Sequence, residues 1–182
     1  MTGPVTHLLW GYVLARSLTP RPGHHLLGMA SAVLLDAGAL LPGIEHHGWL
    51  HTPVFVLFVA LTLWGASGDR MMFLVPAVAM GSHLVLDSVG SGIMWAWPLS
   101  EGTQALVPID GSAGTVAARV FLLVAPLYAV RDRWRETGET PLDALRWASD
   151  LLPRPVAWGG ASTFGLAAAL VMGHRLLVLV AG

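Results

Sequence analysis

Cysteine and lysine are both absent from the 182 residues, and only 12% of them are charged. Without cysteine there is no disulfide and no thiolate metal site, so any bound metal must take its donors from His, Asp or Glu. An ordinary soluble domain carries about a quarter charged residues, and this chain has less than half that share. With a net charge of −1 and no basic patch, nothing suits it to nucleic acid. No Lys or Arg precedes the first apolar run and no small-residue cleavage site follows it, so a removable signal peptide is not expected. There is no internal repeat and no low-complexity tract.

What fills the chain instead is apolar. Hydrophobic residues make up 54%, with eight Trp, twelve Pro and twenty-one Gly, a mix common in membrane-spanning helices and their interfaces. Six apolar runs stand out, at about residues 4–18, 26–44, 54–66, 71–89, 115–130 and 156–181. Pro20 and Pro22 with Gly23, Gly68-Asp69-Arg70 and the Gly/Ser/Pro-rich stretch 90–114 break the pattern. Near residue 140, Thr140-Pro141-Leu142-Asp143 reads as a helix start, with a capping Thr, Pro at the first helical position and an acid in the first turn. The residues after it give a loosely amphipathic surface, expected to lie on a membrane. Trp95 and Trp97 read as interfacial anchors. The expected fold is therefore all-α: a single-domain polytopic integral membrane protein, with about six transmembrane helices, a cytoplasmic interfacial helix and the lipid bilayer as its partner. Residues 1–100 form its metal-site half and residues 101–182 a helical half with fewer landmarks.

Arginine distribution supplies an orientation. Three alternate connections hold Arg16, Arg21, Arg70, Arg131, Arg133, Arg135, Arg146 and Arg154, eight of the ten arginines. Positive residues mark the cytoplasmic side, so both termini and the intervening loops are expected outside the cell membrane. His7, Asp36, the stretch from Glu45 to His51, His83 and Asp87 all map to that outer side.

The densest chemistry lies in two places. Residues 81–88 read GSHLVLDS, and the four-residue spacing of His83 and Asp87 sets them one turn apart on one helix face. Residues 45–53 contain Glu45, His46, His47 and His51, far above chance for so apolar a chain. An imidazole and a carboxylate one turn apart suit a divalent metal; the plainer alternative is a His–Asp hydrogen bond between helices. A site of His7, Asp36, His51, His83 and Asp87, with Glu45 or His46 nearby, offers enough donors for two bridged ions, or for one ion and a catalytic base. Such a centre lowers the pKa of bound water to about 7 and stabilises an attacked phosphorus or carbonyl.

Thr6-His7 with Gly11, HHGWLHT over residues 46–52, GSHLVLDS, and MWAWPLS over residues 94–100 together resemble the membrane-bound metal-dependent hydrolases. These are also described as inner-membrane hydrolases that bind the LexA repressor, and they are themselves similar to zinc-dependent phospholipases C. The resemblance covers about the first hundred residues. It implies metal ligation by His7, His51, His83 and Asp87, with Asp36 or Glu45 as the acidic ligand and His46 as an auxiliary one. The functional expectation is a metal-dependent hydrolase of a phosphoester in a lipid or lipid-linked substrate. Zinc is its expected ion, one or two per chain, and Glu45 or His46 handles protons. The alternative is a non-catalytic protein with a structural or transport metal site.

Overall fold

The computed structural model describes residues 4–36, 48–89, 91–106, 112–144 and 146. The chain divides into two compact units, Met1–Ala144 and Leu145–Gly182, and nearly all described residues belong to the first. Among the described residues it holds five helices: α1 (Pro4–Leu18), α2 (Pro22–Leu34), α3 (Pro53–Ser67), α4 (Met71–Asp87) and α5 (Ser112–Thr137). Among the described residues the only extended pairing is an isolated antiparallel bridge between Ile93 and Gln104. The all-α expectation holds there.

Local chemistry sets the boundaries. Pro22 starts α2 at a position where its missing N–H costs nothing. Thr52 caps α3, its Oγ1 accepting the Phe55 N–H at 3.2 Å while its hydroxyl donates to the Trp49 carbonyl at 2.8 Å. Gly68, at φ 69°, ends α3 in the left-handed conformation and donates its N–H to the Trp64 carbonyl at 2.7 Å. Helix α5 runs past the expected end of its apolar segment, through Arg131 to Thr137, because Arg and Glu are good helix formers. It stops at Gly138, φ 73°, in the same way. The expected start near Thr140 is present: Asp143 Oδ2 accepts both the Thr140 N–H at 2.6 Å and its hydroxyl at 2.8 Å.

The membrane architecture is not borne out. Among the described residues no helix is long and apolar enough to cross a membrane. Helices α1 to α4 have 15, 13, 15 and 17 residues, which at ~1.5 Å per residue gives them roughly 20–26 Å, against a hydrocarbon core of ~30 Å. Helix α5 has 26 residues but carries Arg119, Arg131, Asp132, Arg133, Arg135 and Glu136. The six-span polytopic fold, the multi-pass cell-membrane location and the outside placement of termini and site all fall with this finding. The sixth run and most of the interfacial helix lie outside the described residues. Trp95 is also reassigned: it packs against a core cluster instead of anchoring an interface.

Helices α1, α2 and α4 pack on one another, α3 lies on α4 and α5 on α1. One apolar cluster joins Leu35, Val56, Met80, Leu84 and Ile93. A second gathers Tyr12, Met29 and Ala144. The outer faces of α3 and α5 stay apolar, with Leu57, Phe58 and Leu61 exposed on one and Val120, Phe121 and Tyr128 on the other. The tightest crossing is between α1 and α2, where a Cβ on Gly28 would lie 2.5 Å from Ala15 Cβ and 2.6 Å from the Gly11 carbonyl oxygen. Only glycine lets the two backbones come this close.

Candidate metal centre

Consecutive helices here run in opposite directions, so the start of α1, the end of α2, the start of α3 and the end of α4 meet at one end of the unit. The candidate residues sit at those positions. His7 is in the first turn of α1 and Asp36 lies just past α2. His51 immediately precedes the Thr52 cap of α3, held by its N–H donating to the Gly48 carbonyl at 2.9 Å. His83 and Asp87 share one face of α4. The last turn of that helix is closed by the Ser88 N–H on the Leu84 carbonyl and by the Ser91 hydroxyl on the Asp87 carbonyl.

Asp36, His51, His83 and Asp87 each offer one ligand atom, and the four atoms lie within 4.8 Å of one another. This group could bind a metal ion. His83 is its hub. Its Nε2 lies 3.2 Å from Asp87 Oδ2, 3.3 Å from His51 Nε2 and 3.9 Å from Asp36 Oδ1. His51 Nε2 is 3.8 Å from Asp87 Oδ2. Two donors on a tetrahedral zinc, each at about 2.0–2.1 Å, stand roughly 3.3 Å apart; the 3.2 and 3.3 Å separations match that spacing and the 3.8 and 3.9 Å ones exceed it. The other ring nitrogen, Nδ1, donates to the Ala32 carbonyl at 2.6 Å. That bond fixes the orientation of the ring and turns Nε2 toward the group, the usual arrangement for a ligating histidine.

His7 joins from the other side of Asp87. Its Nε2 lies 3.3 Å from Oδ1, whereas His51 and His83 approach Oδ2. Its ring stacks on that of His83 with centroids 3.8 Å apart and planes inclined by 20°. All of these side chains except one are sealed: His7, His51, His83 and Asp87 are at most 1% exposed, while the Asp36 side chain is 15% exposed. Asp36 therefore marks the mouth of the group.

Electrostatics follow the geometry. Burial disfavours the charged form of His83, but the hydrogen bond to Asp87 and the charges of Asp36 and Asp87 outweigh it and raise its pKa above the ordinary 6.5. Burial likewise disfavours the Asp87 carboxylate, yet hydrogen bonds from His7 and His83 hold its pKa far below the usual range.

Five expected ligands thus come together, four of them as one donor group. Glu45 and His46, the expected catalytic pair, lie outside the described residues. His24 and His25, given no role from sequence, are tied up at the opposite end. His24 Nδ1 is 3.2 Å from Thr19 Oγ1 and its Nε2 3.6 Å from Asp69 Oδ2. His25 Nε2 donates to the Thr19 carbonyl at 2.8 Å, and burial lowers its pKa. The residue that sequence reasoning missed is Ala32, which acts through its backbone. Its signal was spacing: Gly28 and Ala32 on α2 and Asp36 just past it recur every four residues, as do His7, Gly11 and Ala15 on α1. No protein-family model, no curated protein and no solved structure matches the chain.

Proposed function

We propose that the chain is a metal-dependent hydrolase of phosphoesters, with zinc as its ion. The observation that carries this reading is the buried group of two imidazoles and two carboxylates whose ligand atoms converge within 4.8 Å. Nitrogen and oxygen donors in this ratio suit zinc. The resemblance of residues 6–11, 46–52, 81–88 and 94–100 to the metal-dependent hydrolases supports the same reaction class.

In this reading His51, His83 and Asp87 are the three buried donors, and Asp36 completes the set at the mouth. When bound, a divalent ion there supplies Lewis acidity and makes water a usable nucleophile near neutral pH. The protein's part is to exclude bulk water, hold His83 in one tautomer through Ala32, and admit substrate on the Asp36 side. Glu45 or His46 moves the proton. The lipid character of the substrate was inferred from a place in the outer leaflet, and it leaves the proposal with that placement.

Full burial of three donors favours a second reading, a structural ion with no turnover. One experiment separates the two. Purified protein is loaded with Zn2+, its metal content measured, and hydrolysis of phosphomonoester and phosphodiester model substrates followed before and after chelation, beside His83→Ala. Chelator-sensitive turnover, absent in H83A, is expected. Bound zinc with no turnover of any phosphoester supports the structural reading, and wild-type protein that takes up no metal overturns both.

A further inference from the structure

We infer that His7 is a positioning residue for the metal group: it holds Asp87 through the oxygen turned away from the ion and braces the ring of His83, and it is not itself a ligand. The inference rests on the metal reading above and concerns how that site is built.

Three observations carry it. The ligand atoms that gather within 4.8 Å come from Asp36, His51, His83 and Asp87, enough donors to hold an ion without His7. His7 meets Asp87 at Oδ1, whereas His51 and His83 meet it at Oδ2. A carboxylate that binds an ion through one oxygen needs a donor on the other to stop it swinging, and the His7 Nε2–H is placed to give it. The stacked contact with His83 then limits rotation of a second ligand. One side chain of α1 thereby touches two donors of α4.

The backbone explains why His7 can stand there. Gly11 is one turn further along the same face of α1, and its contact with Gly28 lets α1 sink against α2 and α4. Thr6 and His7 are consequently buried at the very start of a helix, where side chains are usually solvated.

The test uses full-length protein titrated with Co2+, a zinc surrogate with visible absorption bands, in wild type, His7→Ala and His7→Gln. Glutamine can still donate an N–H to Asp87 but is a poor ligand. The expected result is an unchanged number of bound ions and unchanged band positions in all three. Affinity should fall about 10- to 100-fold in H7A, the range for loss of a ligand-orienting partner, and recover most of the way in H7Q. Loss of an ion, or of one nitrogen donor by X-ray absorption, in H7Q would make His7 a ligand and overturn the inference. If H7A does not fold, H7Q alone decides by the same count. Wild-type protein that binds no Co2+ overturns the metal reading itself, while a wild type that binds and an H7Q that loses an ion overturns only the role given to His7.

Discussion

His83 on α4 donates its Nδ1 proton to the carbonyl oxygen of Ala32 on α2, 2.6 Å away and fully buried. This bond ties two helices together and at the same time points the opposite nitrogen at Asp87. Structure and chemistry share one side chain.

Replacing His83 should therefore damage both. His83→Ala leaves the Ala32 carbonyl without its donor and Asp87 with one fewer hydrogen bond, a cost of about 1–3 kcal/mol for each stranded buried group. Metal content should fall to background, and the denaturation midpoint should drop even in chelator. An H83A protein with wild-type metal content would contradict the assignment.

Metal uptake should strengthen with rising pH and release protons. The pKa of His83 is raised in the fold, so in chelator its contribution to stability is fully present below the unfolded value near 6.5. That contribution is lost as pH rises through the higher folded value. Asp87 works the opposite way: its pKa is held low, so its contribution is present above about 3.8 and disappears on acidification. Melting temperature in chelator should accordingly decline from mildly acidic to mildly alkaline pH. Added Zn2+ should reverse that decline, since an ion at 100 times its Kd adds about 2.7 kcal/mol.

Gly28→Ala should be disproportionately harmful for one methyl group. The added Cβ would lie 2.5 Å from Ala15 Cβ and 2.6 Å from a backbone oxygen, so α1 and α2 must separate. Overpacking of this kind costs about 1–3 kcal/mol. Because Ala32 and His7 each sit one turn from the crossing, Co2+ affinity should fall along with stability. Gly65→Ala, where nothing lies within 4 Å, is the control and should be neutral or slightly stabilising by helix propensity.

Thr52→Ala removes the cap of α3 beside His51 and should cost about 1 kcal/mol. Chemical denaturation measures it, and Thr52→Ser should restore most of the loss.

Much of the site was legible before any coordinates. The one-turn spacing of His83 and Asp87 is read directly from the sequence, while His7, Asp36 and His51 are gathered with them by assigning all five to the outer side of a bilayer. The residues do meet, although the orientation used to gather them is not borne out. The bilayer reading came from a different signal, long apolar runs with few charges, and failed because run length is not helix length. Residues 26–44 are continuous in hydropathy, yet the described helix there ends at Leu34. The role of Ala32 was missed because a backbone carbonyl has no residue signature of its own, and only the four-residue spacing with Gly28 hinted at it. The division of labour within Asp87 was hidden too, since spacing cannot tell one carboxylate oxygen from the other.

The four candidate donors come from three separate stretches of chain: the residues just past α2, the residue ahead of α3 and the last two turns of α4. A rotamer change at Asp36 opens one side only. If an ion sits there, Asp36 is its one way out short of parting the helices, so its residence time should follow the motion of that side chain and of the chain that carries it.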